Sequence, residues 1–169
     1  MVRGFTLLEV LITVVIVTVI TVMLVPNYLH MQQSSEMKRL ADELQHFVHT
    51  AKSRAILRNQ NLWAHYIAPA SGAASSNWRL ILTESDAFIS SAVPLLVMSG
   101  QSYRHLAITF DYTSDQIKFD GLRGRLKPGN LVFYPLVAVS QSLKLKTSYG
   151  AGRVIICAPS GARYDFPSC

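Results

Sequence analysis

The sequence contains few of the residues from which catalytic and metal sites are usually built. Its 169 residues include two cysteines and five histidines, and only 15% of them are charged. It has no nucleophile elbow (G-x-S-x-G), phosphate-binding loop (G-x-x-x-x-G-K-[ST]), zinc-protease motif (H-E-x-x-H) or C-x-x-C pair. His46 and His49 are three residues apart without a third ligand, so we expect exposed helical histidines. These absences predict a protein with no enzymatic activity, no metal site and no cofactor.

The scarcity of charge is most marked near the N-terminus. Residues 5–25 form a run of 21 positions with a single charge, Glu9, which is long enough to cross a bilayer as a helix. Arg3 is the only basic residue before the run, and no A-x-A site follows Val25, so the segment does not fit a conventional cleaved secretory signal. The simplest interpretation is an uncleaved anchor that spans the membrane once.

Glu9 is the residue that a simple anchor does not explain. A carboxylate inside an apolar helix is costly in lipid and requires a partner. If the chain is cut between Gly4 and Phe5, the new amine of Phe5 is a cation near the membrane surface. The amine of one subunit could then pair with Glu9 of a neighbour, and this pair would dock identical or similar helices in register.

The residues around Glu9 also resemble a known processing signal. The sequence GFTLLEV at residues 4–10 resembles the class III leader and helix start of type IV pilins and type II secretion pseudopilins. The resemblance implies cleavage between Gly4 and Phe5 by prepilin peptidase, N-methylation of Phe5, and a role for Glu9 in assembly with other minor and major pilins. It also implies that Pro26 marks a bend or a segment that melts on assembly, since proline removes a helical hydrogen bond.

Beyond Pro26 the pattern becomes that of an amphipathic helix packed on a globular domain. With a leader at residues 1–4 and the apolar segment at 5–25, residues 26–58 form the second half of one helix, which we predict over about residues 5–57. Apolar residues recur there with helical spacing. The eight positions of the predicted buried face are Met37, Leu40, Ala41, Leu44, Phe47, Val48, Ala51 and Ala55.

Residues 59–169 have the composition of a β-rich head. Short runs of branched and aromatic residues alternate with turn clusters. The predicted strands are residues 62–67, 78–83, 93–98, 106–112, 116–119, 131–134, 137–145 and 153–157. Residues 112–115 are predicted to form a hairpin turn and residues 127–130 another turn. Strands that follow one long helix predict an α+β fold.

Further stretches narrow the resemblance. The sequences AKSRAILRNQN at residues 51–61, WRLIL at 78–82, RVIIC at 153–157 and SGAR at 160–163 are similar to the GspH/FimT group of minor pilins, which includes FimU-like proteins. Arg54 stands where this group usually has an acid. The resemblance implies a pilin-like head of two packed β-sheets on the helix, in a subunit that primes a type IV pilus at or near its tip. A GspH-type pseudopilin of a type II secretion system is the alternative.

Cys157 and Cys169 lie in the part of the chain that this resemblance places outside the cytoplasm. There, such a pair favours a disulfide over a metal site or free thiols, although a bond between two molecules stays open. Closing a loop of 13 residues contributes about 3 kcal/mol. The resemblance also implies a single pass through the inner membrane with a periplasmic head before assembly, and an extracellular pilus tip afterwards.

The whole net charge of +6 belongs to the last 48 residues. Residues 122–169 hold seven Lys and Arg against one acid, Asp165. Exposed cations without carboxylate neighbours attract phosphates, and some FimT-type members bind DNA through a C-terminal tail with closely spaced arginines. The sequence GARYD at 161–165 has one arginine and an acid, so a solvated face or a contact with another pilin is the alternative. The candidate DNA-binding residues are Lys144, Lys146, Arg153 and Arg163.

Overall fold

A long helix occupies the first third of the chain. The computed structural model describes residues 6–70, 75–90, 93–150 and 152–169, with the backbone alone for residues 23–30. Helix α1 runs from Leu7 to Arg58, close to the predicted bounds, and the chain divides into two compact units, Met1–Ser35 and Glu36–Cys169. Among the described residues, no helical stretch combines the length and the apolar character that a bilayer crossing requires. The transmembrane assignment of residues 5–25 stays a prediction.

The C-terminal end of α1 is fixed by a left-handed residue. Asn59 has a φ of 50°, a conformation that asparagine tolerates better than most residues. Its N–H donates to the carbonyl of Ile56 at 3.0 Å, and the N–H of Gln60 donates to the carbonyl of Ala55 at 3.2 Å. These bonds satisfy carbonyls of the last helical turn, so the chain leaves α1 sharply and enters the head.

The head consists of two antiparallel sheets. The first sheet has the strand order β3-β2-β1-β5 and the second has β4-β6-β7-β8. The α+β prediction is confirmed, and each of the eight predicted strands has a counterpart in the structure. The strands are β1 Leu62–Ile67, β2 Arg79–Thr83, β3 Leu96–Ser99, β4 Leu106–Asp111, β5 Gln116–Phe119, β6 Gly129–Pro135, β7 Leu143–Thr147 and β8 Val154–Cys157.

Both predicted turns need correction. Residues 112–115 do reverse the chain, but they connect β4 to β5, which belong to different sheets, so the segment is a crossover and not a hairpin. Residues 127–130 do not form a turn, because Gly129 and Asn130 already pair with β7 as the start of β6. The turn lies earlier, at residues 121–123. Turn residues in the sequence reveal where the chain bends but not which sheet it enters next.

Two strands also begin several residues later than predicted. The strand predicted at 93–98 begins after Pro94, which has no N–H to donate to a sheet. The strand predicted at 137–145 begins only with β7, because the preceding residues form successive turns. In these turns the N–H of Ala138 donates to the carbonyl of Pro135 at 3.0 Å, and Gln141 donates to Ala138 at 2.9 Å.

One apolar core joins both sheets to the C-terminal half of α1. All eight positions of the predicted helix face are buried, none more than 4% exposed. They share one cluster with Leu82 of the first sheet and with Trp78, which directly precedes β2. Phe133 and Leu145 of the second sheet belong to the same cluster. Burying a large apolar side chain contributes about 1.5–3 kcal/mol, so this helix face is the main attachment of the sheets.

A buried polar contact lies at the edge of this core. The Thr147 hydroxyl donates to the carbonyl of Lys127 at 2.7 Å, so the Tyr112 hydroxyl is the donor in its 3.0 Å bond to the Thr147 oxygen. Burial raises the pKa of Tyr112 to about 12, which keeps this donor protonated at neutral pH. Gly129 lies against the same ring, and a Cβ atom added there would be 2.2 Å from Tyr112 Cδ1.

Replacing Gly129 with alanine should therefore destabilise the head. The Tyr112 ring is buried and hydrogen-bonded, so it cannot move away freely, and we expect a loss of about 1–3 kcal/mol in the free energy of unfolding. Urea unfolding followed by tryptophan fluorescence measures this loss. Gly150→Ala is the matched control, because a Cβ atom there meets nothing within 4 Å. Equal effects of the two substitutions would contradict the proposed clash.

Candidate functional site

The first turn of α1 is organised by Thr6 and Glu9. The Thr6 carbonyl accepts hydrogen bonds from the N–H groups of Glu9 at 3.1 Å and Val10 at 3.3 Å. The Thr6 hydroxyl oxygen also accepts from the Glu9 N–H, at 3.3 Å. Thr6 is thus the N-cap and Glu9 the third helical residue, where the helix dipole favours an acid. The T-x-x-E spacing is the sequence signal for this cap, and hydropathy alone does not reveal it.

Apolar side chains surround Glu9 on the helix surface. Among the described residues 7–22 the exposed fraction of the large apolar side chains ranges from 48% at Ile12 to 84% at Leu7. The threonines here bond to their own helix: Thr13 to the carbonyl of Val10 at 2.8 Å, and Thr21 to that of Val17 at 2.7 Å. Because these hydroxyl protons are already used, the surface offers mainly apolar atoms to lipid or to neighbouring helices.

The remaining predicted assembly residues lie beyond what the structure describes in full. Gly4, Phe5 and the bond between them are outside the described residues. Pro26 lies within α1 by its backbone, but its side chain is not among those described. Cleavage, methylation and a proline bend therefore remain predictions.

Three of the four candidate DNA-binding residues share the outer face of the second sheet. Alternate residues of β7 are buried, which places Lys144 and Lys146 on the outer face. The carbonyl of Arg153 accepts the N–H of Ser148 at 3.0 Å, so Arg153 lies opposite Ser148. Ser148 follows Lys144 and Lys146 on alternate positions, which places Arg153 on the same face as the two lysines. Asp111 of β4 pairs with Asn130 of β6, and Asn130 pairs with Lys146 of β7. This acid is therefore two strands away from Lys146, at about 10 Å.

Arg163 lies apart from this group, in the C-terminal tail. Its N–H donates to the carbonyl of Phe166 at 3.1 Å, and the Phe166 N–H donates back at 2.8 Å, which closes a small turn. Asp165, inside the turn, forms an ion pair with Lys38 of α1. The side chain of Arg163 is exposed, and its immediate environment includes this acid, as the sequence indicated.

Several contacts hold the tail on the head. Cys157 and Cys169 form the expected disulfide, with their Cα atoms 4.9 Å apart. Ala158 adds two backbone hydrogen bonds to the tail, of 2.8 and 3.1 Å. The Tyr164 hydroxyl donates to Gln141 Oε1 at 2.8 Å, and burial raises the pKa of Tyr164, so the donor stays protonated. The tail is therefore an ordered part of the head.

His46 and His49 of α1 behave as ordinary surface residues. His46 and His49 are both exposed. Within the ranges that the structure describes, no group of three or more His, Cys, Asp or Glu residues is placed to hold a metal ion.

The chain combines a long helix with an apolar start and a head of two four-stranded sheets. The profile of the type II transport protein GspH matches residues 40–163. The chain belongs to the GspH family. The prokaryotic N-terminal methylation motif matches residues 1–25, so this GspH-family protein is a minor pilin or pseudopilin of the GspH/FimU type. No curated protein matches the sequence significantly.

Solved structures confirm the fold. The type IV minor pilin FimU of Pseudomonas aeruginosa is 18% identical with a TM-score of 0.57, covering 76% of this chain and 93% of FimU. A second crystal form of FimU gives a TM-score of 0.55. The minor pseudopilin EpsH from the type 2 secretion system of Vibrio cholerae is 14% identical with a TM-score of 0.51, covering 73% of this chain and 98% of EpsH.

Removing both cysteines should loosen the tail and leave the rest of the head folded. The Cys157→Ser/Cys169→Ser variant loses a closed loop with a sequence separation of 12 residues. We expect the free energy of unfolding to fall by at most about 3 kcal/mol, measured by urea unfolding. Dithiothreitol should produce the same loss in the wild type and no further loss in the variant. Unchanged stability after either treatment would show that the bond does not contribute.

Proposed function

We propose that the protein is a minor type IV pilin that primes pilus assembly and lies at or near the pilus tip. The observation that carries the proposal is the position of Glu9, a single acid in the first turn of a helix whose surroundings are apolar and exposed. Such a surface requires a cover of lipid or of other helices, and the acid requires a cation inside that cover.

Processing supplies that cation in our proposal. Prepilin peptidase cuts between Gly4 and Phe5, and the new N-terminal amine of Phe5, once methylated, still carries a positive charge. Before assembly, residues 5–25 cross the inner membrane once and the head lies in the periplasm. During assembly, Glu9 of one subunit pairs with the amine of its neighbour, which sets the register between the helices. The subunit then leaves the membrane with the other minor and major pilins.

A type II secretion pseudopilus is the alternative setting for the same assembly device. FimU is described as a type IV minor pilin and EpsH as a minor pseudopilin. The heads of both resemble this one, and the role of Glu9 is the same in either setting. Restoration of pilus formation, compared with restoration of secretion, in strains that lack the corresponding subunit decides between them.

A second candidate function is DNA capture by a tip subunit. The outer face of the second sheet favours DNA capture, because Lys144, Lys146 and Arg153 lie close together there. Among the described residues that pair across the sheet with these cations, the nearest acid is Asp111, two strands away. Phosphates of a DNA backbone could contact these cations together. Arg163 joins them only if DNA also reaches the tail, where Asp165 reduces the positive potential.

Removing the charge of Glu9 should impair incorporation into filaments without unfolding the head. Glu9→Gln would leave the amine of the neighbouring subunit buried without a counter-charge, which costs about 3–5 kcal/mol. The amount in sheared pili should therefore fall at least about tenfold. Glu36→Gln, a loss of an acid elsewhere on α1, is the matched control. Intact mass must show that both variants begin at methylated Phe5, so that a processing defect is excluded. Normal incorporation of Glu9→Gln would contradict the docking role.

DNA binding, if it occurs on the second sheet, should depend steeply on salt. The full-length protein in detergent should shift a DNA duplex at low salt, and Lys144→Ala should reduce the slope of log affinity against log salt by about 1. Arg163→Ala should have the same effect only if the tail takes part. Lys38→Ala provides a comparison at a lysine that is already ion-paired. No shift at low salt would remove DNA capture from consideration.

A further inference from the structure

A groove beside the C-terminal end of α1 belongs to none of the surfaces discussed above. Its volume is about 620 Å³, and it is bounded by β1, β5, residues 125–128 and Tyr149. Asn61 lies two residues after Asn59, where the helix ends, and it lines the groove. Its Oδ1 atom accepts the N–H of Gly121 at 3.2 Å. A Cβ atom on Gly121 would be 2.4 Å from the backbone of Gln60, so glycine permits this close approach.

Two aromatic rings line the groove, and each has a cation beside it. Trp63 and Lys118 are direct partners in the register of β1 and β5, which holds Lys118 Nζ 5.7 Å from the Trp63 ring centroid. Arg125 Cζ lies 5.1 Å from the centroid of Tyr149, which is 56% exposed. Arg125 Nη1 also lies 3.5 Å from the Tyr149 hydroxyl. The rings position both cations.

Neither of the two cations beside the rings, Lys118 and Arg125, is neutralised by a carboxylate, while a third lysine of the lining, Lys127, donates to the carbonyl of Thr113. In the described parts of the chain the ion pairs within 4.0 Å are Lys38–Asp165 and Arg58–Glu84. Lys118 and Arg125 take part in neither of them. They are therefore available to an anionic group of a ligand, and the guanidinium of Arg125 suits a carboxylate in particular.

The groove also contains carboxylates and amides, which restrict the ligand. Asp86 uses one oxygen to accept from Gln116 Nε2 at 2.7 Å, and Asp120 uses one oxygen for the N–H of Leu122 at 2.9 Å. As far as the described residues show, the second oxygen of each acid has no hydrogen-bond partner. These oxygens are acceptors for ligand hydroxyl groups, and Asn61 Nδ2 is a donor.

We propose that this groove binds an acidic saccharide, a chain of sugar rings that carries carboxylates, such as a polyuronate. The flat C–H faces of sugar rings match the faces of Trp63 and Tyr149, while hydroxyl groups match the acids and amides. Uronate carboxylates match Lys118 and Arg125. A volume of about 620 Å³ falls within the range of about 300–1,000 Å³ that is usual for small-molecule sites.

Other ligand classes fit the lining less well. A DNA strand has no hydroxyl groups on its internal sugars that could donate to Asp86 and Asp120, whereas an acidic saccharide has several on each ring. An apolar peptide would bury those acids, together with Lys118 and Arg125, without partners, and burying unpaired charge is costly. A neutral saccharide would use the rings and acids but would leave Lys118 and Arg125 without a counter-charge.

The test is calorimetric titration of the full-length protein in detergent with a galacturonate trimer. We expect saturable binding, and Tyr149→Ala and Arg125→Gln should each weaken it at least about tenfold. Arg104→Gln removes the same type of charge from an exposed residue that does not line the groove, and it should leave the affinity unchanged. Urea unfolding of each variant checks that the head remains intact.

Two comparisons decide the ligand class. A neutral galactose trimer should bind at least about tenfold more weakly than the galacturonate trimer. Equal binding of the two trimers would overturn the role of the cations. An oligothymidylate that binds more tightly than the galacturonate trimer, and loses affinity in Tyr149→Ala, would assign the groove to nucleic acid instead. No saturable binding of the galacturonate trimer, or an equal loss in Arg104→Gln, would also overturn the proposal.

Discussion

The burial of one face of α1 against two sheets is the interaction on which the head depends. A sheet with one apolar face must bury that face against another element. The helix face from Met37 to Ala55 gives both sheets a common core. The small residues Ala41, Ala51 and Ala55 on that face are fully buried.

This attachment also determines where the loops and the tail can lie. The crossover at residues 112–115 carries the chain from the second sheet to the first, and the Tyr112 hydroxyl at its start bonds to the end of β7. The tail returns to α1 through the ion pair of Asp165 with Lys38. At the other end of the same helix segment, Asn61 holds the loop that borders the aromatic groove. Sites at the two ends of the head thus depend on one helix.

Some of the residues to which we assign a function can be found from the sequence, and others cannot. Glu9 could be identified from the sequence, because one charge in 21 apolar residues is anomalous without any knowledge of the fold. The disulfide could also be expected, since the two cysteines are close along the chain. The groove could not be found in this way: Trp63, Lys118 and Tyr149 are far apart in sequence, and they meet only through the pairing of β1 with β5 and the loop that follows β7.

The sequence by itself determined the helix and its buried face, the approximate positions of the strands and the acid near the N-terminus. Each of these follows from local spacing of apolar residues or from a single misplaced charge. The tertiary structure decided the sheet to which each strand belongs, the separation of Arg163 from the three cations on the second sheet, and the groove. These depend on pairings between distant segments, and loop residues determine where a chain turns but not which partner strand it meets.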